Sequence, residues 1–423
     1  MLGQGAFTSE RLALLCADDG EFQLAARHWT GGLRLEDPDG AIGLTFVEGA
    51  MAAGAPPADA AGVIALSAAE SVWAELLAAT PPRLSNDIFL LIGAGRMTSL
   101  GEAIVYAQYY PAAMRAIELL RPPVAAAQAR QPRRAAGDFD SPVGRYIHLD
   151  LAGRDCRIYF EEAGAGIPML LQHTAGAHGA QWRHLFERPE ITDHFRLIAY
   201  DLPFHGKSLP PVGPRWWAQE YLLTKEFLRA IPVSLAAALG LQRPVFMGCS
   251  VGGLLALDLA RHHGDVFAAV ISLEGALKIP GELRQLEALW HPQVSNEYKA
   301  RLMNGLMSPT SPEAFRKETS AVYASGWPPA FRGDLHYYLA DYDLTAEAGR
   351  IDTARTAVHI LTGEYDGSGT LELGDAAHRA IPGSTWTAMP GVGHFPMSEN
   401  PDAFIAHLLP VLEKVRANWS AAA

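Results

Sequence analysis

From residue 244 to 260 the chain reads PVFM, then Gly248-Cys249-Ser250-Val251-Gly252-Gly253, then LLALDLA. A strand-like apolar run meets a helix-like apolar run with only a G-x-S-x-G turn between them. A reversal that sharp forces the serine into a strained backbone conformation, and the flanking glycines remove the Cβ atoms that would collide. It also exposes the serine hydroxyl at a helix N-terminus, where the partial positive charge favours a developing anion. The junction therefore demands a sheet whose strands run directly into helices, and it marks Ser250 as a candidate nucleophile.

The surrounding pattern agrees. After a hairpin-like pair at 145–151 and 156–163, apolar runs at 168–172, 196–200, 244–247, 266–273, 357–361 and 384–389 alternate with helical segments such as 254–263 and 401–415. That rhythm predicts an α/β fold with a mostly parallel sheet. With 423 residues the chain is long enough for a second domain. Residues 121–142, rich in Pro, Ala and Arg and including the Arg133-Arg134 pair, read as a semi-rigid linker. Upstream of it, 22–30, 33–36, 42–47 and 63–66 read as strands, with a turn at Asp37-Pro38-Asp39-Gly40, and 68–79 and 102–120 read as helices. Residues 1–120 are thus expected to form a smaller α+β domain, with strands before helices. They carry 6 Lys+Arg against 14 Asp+Glu, most of the whole chain's net charge of -12.

That charge argues against nucleic acid as a partner, since phosphates reward clustered Lys and Arg. No apolar run reaches the roughly 18–20 residues of a membrane span. The first ten residues lack the basic and apolar regions of a signal peptide, and the three cysteines, Cys16, Cys156 and Cys249, are scattered. A cytoplasmic protein without a metal is the expectation.

A serine hydroxyl needs a general base, and the base needs an acid to orient it. His394 lies in Gly391-Val392-Gly393-His394-Phe395-Pro396, a turn just beyond the last candidate strand. Asp366, in Gly363-Glu364-Tyr365-Asp366, follows the strand-like run AVHIL, with Glu364 and Glu274 as rival carboxylates. The tetrahedral oxyanion calls for two backbone donors. Val251 supplies one. The loop His173-Thr174-Ala175-Gly176-Ala177 supplies the other, with Ala175 the leading choice and His173 shaping the loop.

With GCSVGG at 248–253, GEYDGS at 363–368, GVGHFP at 391–396 and DLPFHGKS at 201–208, residues 145–415 resemble the α/β-hydrolase superfamily. The last motif carries Phe204 where that family usually has glycine, and Asp201 in it reads as structural. The resemblance implies acyl transfer through a Ser250-His394-Asp366 triad and an acyl-enzyme, with no cofactor, on a small-molecule ester or lactone. Thioesters, and carbon–carbon bonds of ring-cleavage products, are alternative substrates for the same triad. It also implies a helical cap over about 276–350, whose aromatic residues favour an apolar or aromatic substrate. Trp290, Tyr323 and Trp327, with Thr174, are the candidate substrate contacts. The N-terminal domain loosely resembles the sterol-carrier-like fold, which would suggest an apolar pocket; a module for homo-oligomerisation is the other reading. A non-catalytic carrier or receptor using that pocket is the competing function.

Overall fold

A computed structural model describes residues 1–125, 127–131, 134–281 and 283–419, with the side chains of 283–286 excepted. The chain divides into two compact units. The first comprises Met1–Ala126 and Ala288–Gly305, and the second Ala127–Glu287 and Leu306–Ala423. Arg133, one of the linker pair, lies outside the described residues.

The first unit holds a mixed five-stranded sheet of β1 (Gly31–Asp37), β2 (Gly40–Val47), β3 (Ala50–Ala53), β4 (Val63–Ala68) and β5 (Met97–Leu100), in the order β3-β2-β1-β4-β5. The predicted turn joins β1 to β2. The Asp37 carboxylate accepts from Asp39 N and Gly40 N at 2.9 Å each, the reason an acidic residue opens that turn. The sequence expectation fails at 22–30. Gly20–Ala26 is a helix, capped by the Asp19 side chain accepting from Phe22 N at 2.7 Å. Another helix, Ser9–Ala17, also precedes the sheet, so the strands do not come first.

Part of the segment assigned by position to the cap also belongs to the first unit. In the helix Asn296–Gly305, Arg301 Nη2 lies 2.7 Å from Glu118 Oε1, and Gly305 O accepts from Asn86 Nδ2 at 2.8 Å.

The second unit is built on an eight-stranded sheet. Its strands are β6 (Val143–Leu151), β7 (Arg154–Ala163), β8 (Ile167–Gln172), β9 (Phe195–Tyr200), β10 (Val245–Cys249), β11 (Ala269–Leu273), β12 (Ala357–Gly363) and β13 (Thr385–Met389). The order is β13-β12-β11-β10-β8-β9-β7-β6. β8 to β13 pair in parallel, while β6 and β7 form the predicted antiparallel hairpin at one edge. β10 and β11 are buried along their whole length, as central strands covered on both faces must be. Trp182, Phe195, Met247, Ile271, Phe404 and Leu408 fill the core on one side. Because β8 to β13 are parallel, their carboxyl ends lie along one edge, and the loops leaving that edge carry every candidate catalytic residue. No helix among the described residues is long and apolar enough to cross a membrane.

Candidate active site

Ser250 stands between β10 and the helix Val251–His262 with φ 60° and ψ -113°, a conformation that costs a non-glycine residue about 1–3 kcal/mol. The surroundings hold it there. Its N–H donates to Leu273 O at 3.0 Å on β11. A Cβ on Gly248 would stand 2.4 Å from Gly252 O, and one on Gly252 would stand 2.8 Å from the Gln172 side chain. Only glycine fits at either position, which is the physical content of the motif.

His394 follows β13, and its Nδ1 is 2.7 Å from Asp366 Oδ2. The approach is off the N–H axis, so the pair meets as a close polar contact rather than an aligned hydrogen bond. Such bonds commonly tighten only when substrate binds. The Asp366 carboxylate is itself fixed by Ser368 N at 2.7 Å and Gly369 N at 3.0 Å.

The rival carboxylates have other occupations. Glu364 Oε2 accepts from Gly391 N at 2.8 Å and braces the turn before His394. Glu274 is fully buried, and its two oxygens share Gly363 N at 3.0 and 2.9 Å. Burial pushes its carboxyl well above the ordinary range, and the neighbouring Asp366 pushes it the same way.

The loop after β8 sorts its amides by partner. Thr174 N donates to Gln181 Oε1 at 3.1 Å, Gly176 N to Asp334 Oδ2 at 2.7 Å, and Ala177 N to Thr174 O at 3.3 Å. Ala175 N, between the committed amides of Thr174 and Gly176, meets no protein acceptor among the described residues. Val251 N, at the first position of its helix, likewise has no intrahelical acceptor. His173 shapes the loop as expected: Nδ1 donates to Thr174 O at 2.8 Å and Nε2 accepts from Leu202 N at 3.1 Å. Burial holds its pKa well below the usual imidazole range, so the ring is neutral. Asp201 is occupied with Gly179 N and Lys207 N, each at 2.7 Å.

Several residues to which the motifs gave no role also reach the site. Glu399, fully buried, gathers Gly393 N at 2.8 Å, Phe395 N at 3.2 Å, Ser308 N at 3.0 Å and Ser311 Oγ at 2.9 Å. It thereby ties down both neighbours of His394; its position five residues beyond the histidine was the available signal. Tyr338 places its hydroxyl 3.0 Å from Ser368 Oγ, and burial keeps the phenol protonated. Cys249 Sγ donates to His394 O at 3.1 Å.

Of the candidate substrate contacts, Thr174 and Tyr323 are brought together, hydroxyl to hydroxyl. Trp327 lines a cavity of about 760 Å³ with Phe204, Trp216, Tyr159, His178 and Lys207. Neither Ser250 nor His394 is among the walls of that cavity. Trp290 belongs to the first unit. No cluster of metal-ligating side chains occurs among the described residues.

Comparison with known proteins matches residues 169–407 to the alpha/beta hydrolase family. A pimeloyl-[acyl-carrier protein] methyl ester esterase of Vibrio vulnificus is 23% identical over 269 residues, covering 60% of this chain and 96% of the esterase. The corresponding esterase of Methylococcus capsulatus is 27% identical over 260 residues, covering 56% of this chain and 92% of its own. Among solved structures, a thermophilic esterase from Thermogutta terrifontis superposes with a TM-score of 0.56 at 22% identity, covering 64% of this chain and 99% of that one. An enol-lactonase from Burkholderia xenovorans gives 0.51 at 21%, covering 63% and 100%.

Proposed function

We propose that this chain, which belongs to the alpha/beta hydrolase family, hydrolyses a carboxylic ester or lactone of an apolar or aromatic small molecule through an acyl-enzyme. The observation that carries the reading is the pairing of His394 with Asp366 at 2.7 Å at the strand ends where the strained Ser250 also stands. The esterases among the relatives support the reaction class, and the lactonase among the structural neighbours supports including cyclic esters.

In this mechanism Ser250 Oγ attacks the carbonyl carbon while His394 Nε2 takes the hydroxyl proton. The carbonyl oxygen becomes an oxyanion facing the Val251 and Ala175 amides. Collapse breaks the bond to the leaving oxygen, which takes the proton from His394 and departs as the alcohol. For a lactone it stays tethered to the acyl group. Water then gives a proton to His394 and attacks the acyl-enzyme; Ser250 leaves with that proton and the carboxylic acid is released. Asp366 orients the imidazole and stabilises its charged form throughout. Thr174, Tyr323 and Trp327 are proposed as the substrate-facing side chains, and the apolar walls of these residues favour an apolar acyl or alcohol group. The first unit, with its mixed five-stranded sheet, is proposed to share the sterol-carrier-like fold.

Turnover of p-nitrophenyl esters by the wild type and Ser250→Ala tests this reading. The substitution is expected to lower kcat by about 10³-fold or more, leaving the residual catalysis typical of a broken triad. A fluorophosphonate should label Ser250 in the wild type. Equal turnover by the two proteins would refute the reading.

A further inference from the structure

We propose that Asp334, carried on the helix Pro328–His336 between β11 and β12, is a positioning residue that holds the oxyanion loop in its working shape. The proposal rests on the hydrolase reading above. Asp334 is fully buried and lies 158 residues from Gly176, whose N–H it accepts at 2.7 Å on Oδ2. His205 Nε2 donates to the same oxygen at 2.8 Å, and Tyr221 Oη donates to Oδ1 at 3.0 Å. Three donors thus converge on one carboxylate, one from the loop after β8 and two from the stretch between β9 and the helix Lys225–Ala238.

A carboxylate this deeply buried requires a charged partner as well as hydrogen bonds. His205 provides the charge. Its Nδ1 faces Pro203 O at 2.9 Å and its Nε2 faces Asp334, so both ring nitrogens meet acceptors and both need a proton. Burial, the largest single influence, would lower its pKa; Asp334, Pro203 O and Asp201 together outweigh burial and raise it. The other groups around the ring are the neutral His173 at 5.1 Å between centroids, Tyr221, His178, and Asp201, whose carboxylate adds to the stabilisation. His205 sits in DLPFHGKS beside Phe204, at the place where this motif departs from the family pattern.

The consequence for the oxyanion site follows from the peptide planes. Thr174 N is fixed on Gln181 and Gly176 N on Asp334, so the amides on both sides of Ala175 are committed to the protein. The Ala175 amide between them stays available for an oxyanion. Gly176 has φ +63°, and a Cβ there would stand 2.6 Å from Phe331 Cβ on the same helix, so loop and helix are also in steric register. Seating that helix and presenting the Ala175 amide are, on this account, one event.

Asp334→Ala and the nearly isosteric Asp334→Asn test the proposal in the full-length protein. With p-nitrophenyl esters, Asp334→Ala is expected to lower kcat about 10- to 100-fold, less than loss of an oxyanion donor itself, with KM within about threefold. Asp334→Asn keeps an acceptor for Gly176 N and should fall between Asp334→Ala and the wild type. Hydrogen exchange over 173–181 should accelerate in both, with exchange over β10 unchanged. Wild-type kcat or wild-type exchange over 173–181 in Asp334→Asn would overturn the proposal, even if Asp334→Ala fails to fold. Should Ser250→Ala match the wild type in turnover, the hydrolase reading falls, and the exchange measurement still decides whether Asp334 holds the loop.

Discussion

At the scale of single residues, the candidate site concentrates carboxyl groups that burial makes expensive. Glu274 is the clearest case, because it is fully buried and Asp366 lies beside it. Its folded-state pKa is raised above the unfolded value. Between those two values the folded protein binds more protons than the unfolded chain, so stability falls as pH rises through that window. Glu274→Gln keeps an acceptor for Gly363 N and has no proton to lose. The variant should match the wild type near the ordinary carboxyl pKa and become increasingly more stable as pH rises above it. The gap should widen by up to about 1.4 kcal/mol per pH unit across the window. Urea unfolding at a series of pH values measures it, and a gap independent of pH would show that Glu274 is ionised in the folded state at low cost. The strand-end placement of the candidates Ser250, His394 and Asp366 was legible in the sequence because each lies in a short local pattern. Asp334 and Tyr338 were not, since their partners are more than a hundred residues or a whole cap segment away and no spacing records such a contact. The choice of Asp366 over Glu364 and Glu274 needed distances.

Elements position those residues through close backbone approaches. The helix Val251–His262 packs against the end of β11, where a Cβ on Gly253 would stand 2.1 Å from Leu273 O. Leu273 O already accepts from Ser250 N, and Ser272 Oγ donates to Gly253 O at 2.8 Å. Gly253→Ala must therefore push the helix off the strand that also holds Ser250, the candidate nucleophile. We expect a loss of about 1–3 kcal/mol, the usual cost of overpacking, and slower fluorophosphonate labelling of Ser250. Urea midpoints and labelling rates check this, and a wild-type midpoint would mean the helix moves freely. Most strands were legible because buried parallel strands read as continuous apolar runs. The helix Gly20–Ala26 was misread because a seven-residue helix spans too few turns to show a period, although its Asp19 cap was a readable signal.

At the scale of the whole molecule, the division after Ala126 falls within the Pro-, Ala- and Arg-rich stretch 121–142, whereas the return of 288–305 to the first unit was invisible in sequence. That segment lies between two strands of the second unit, so position alone assigns it to the cap. Its packing is what places it in the first unit. Ala300, Leu302 and Met303 are buried there, and so is Arg301, held to Glu118 at 2.7 Å. Cutting the chain at the linker would therefore strip a helix of its own unit. Residues 127–423 expressed alone should expose the apolar face of 288–305 together with Arg301 stripped of its Glu118 carboxylate, an invitation to self-association. Replacing 288–305 in that fragment with a Gly/Ser segment of equal length removes the exposed face. The replaced fragment should then elute as a smaller species and melt at a higher temperature than the unreplaced one. Size-exclusion chromatography and thermal unfolding of the two fragments measure this difference. Identical behaviour would mean that 288–305 does not depend on the first unit for its burial, and the discontinuous division of the chain would have to be abandoned.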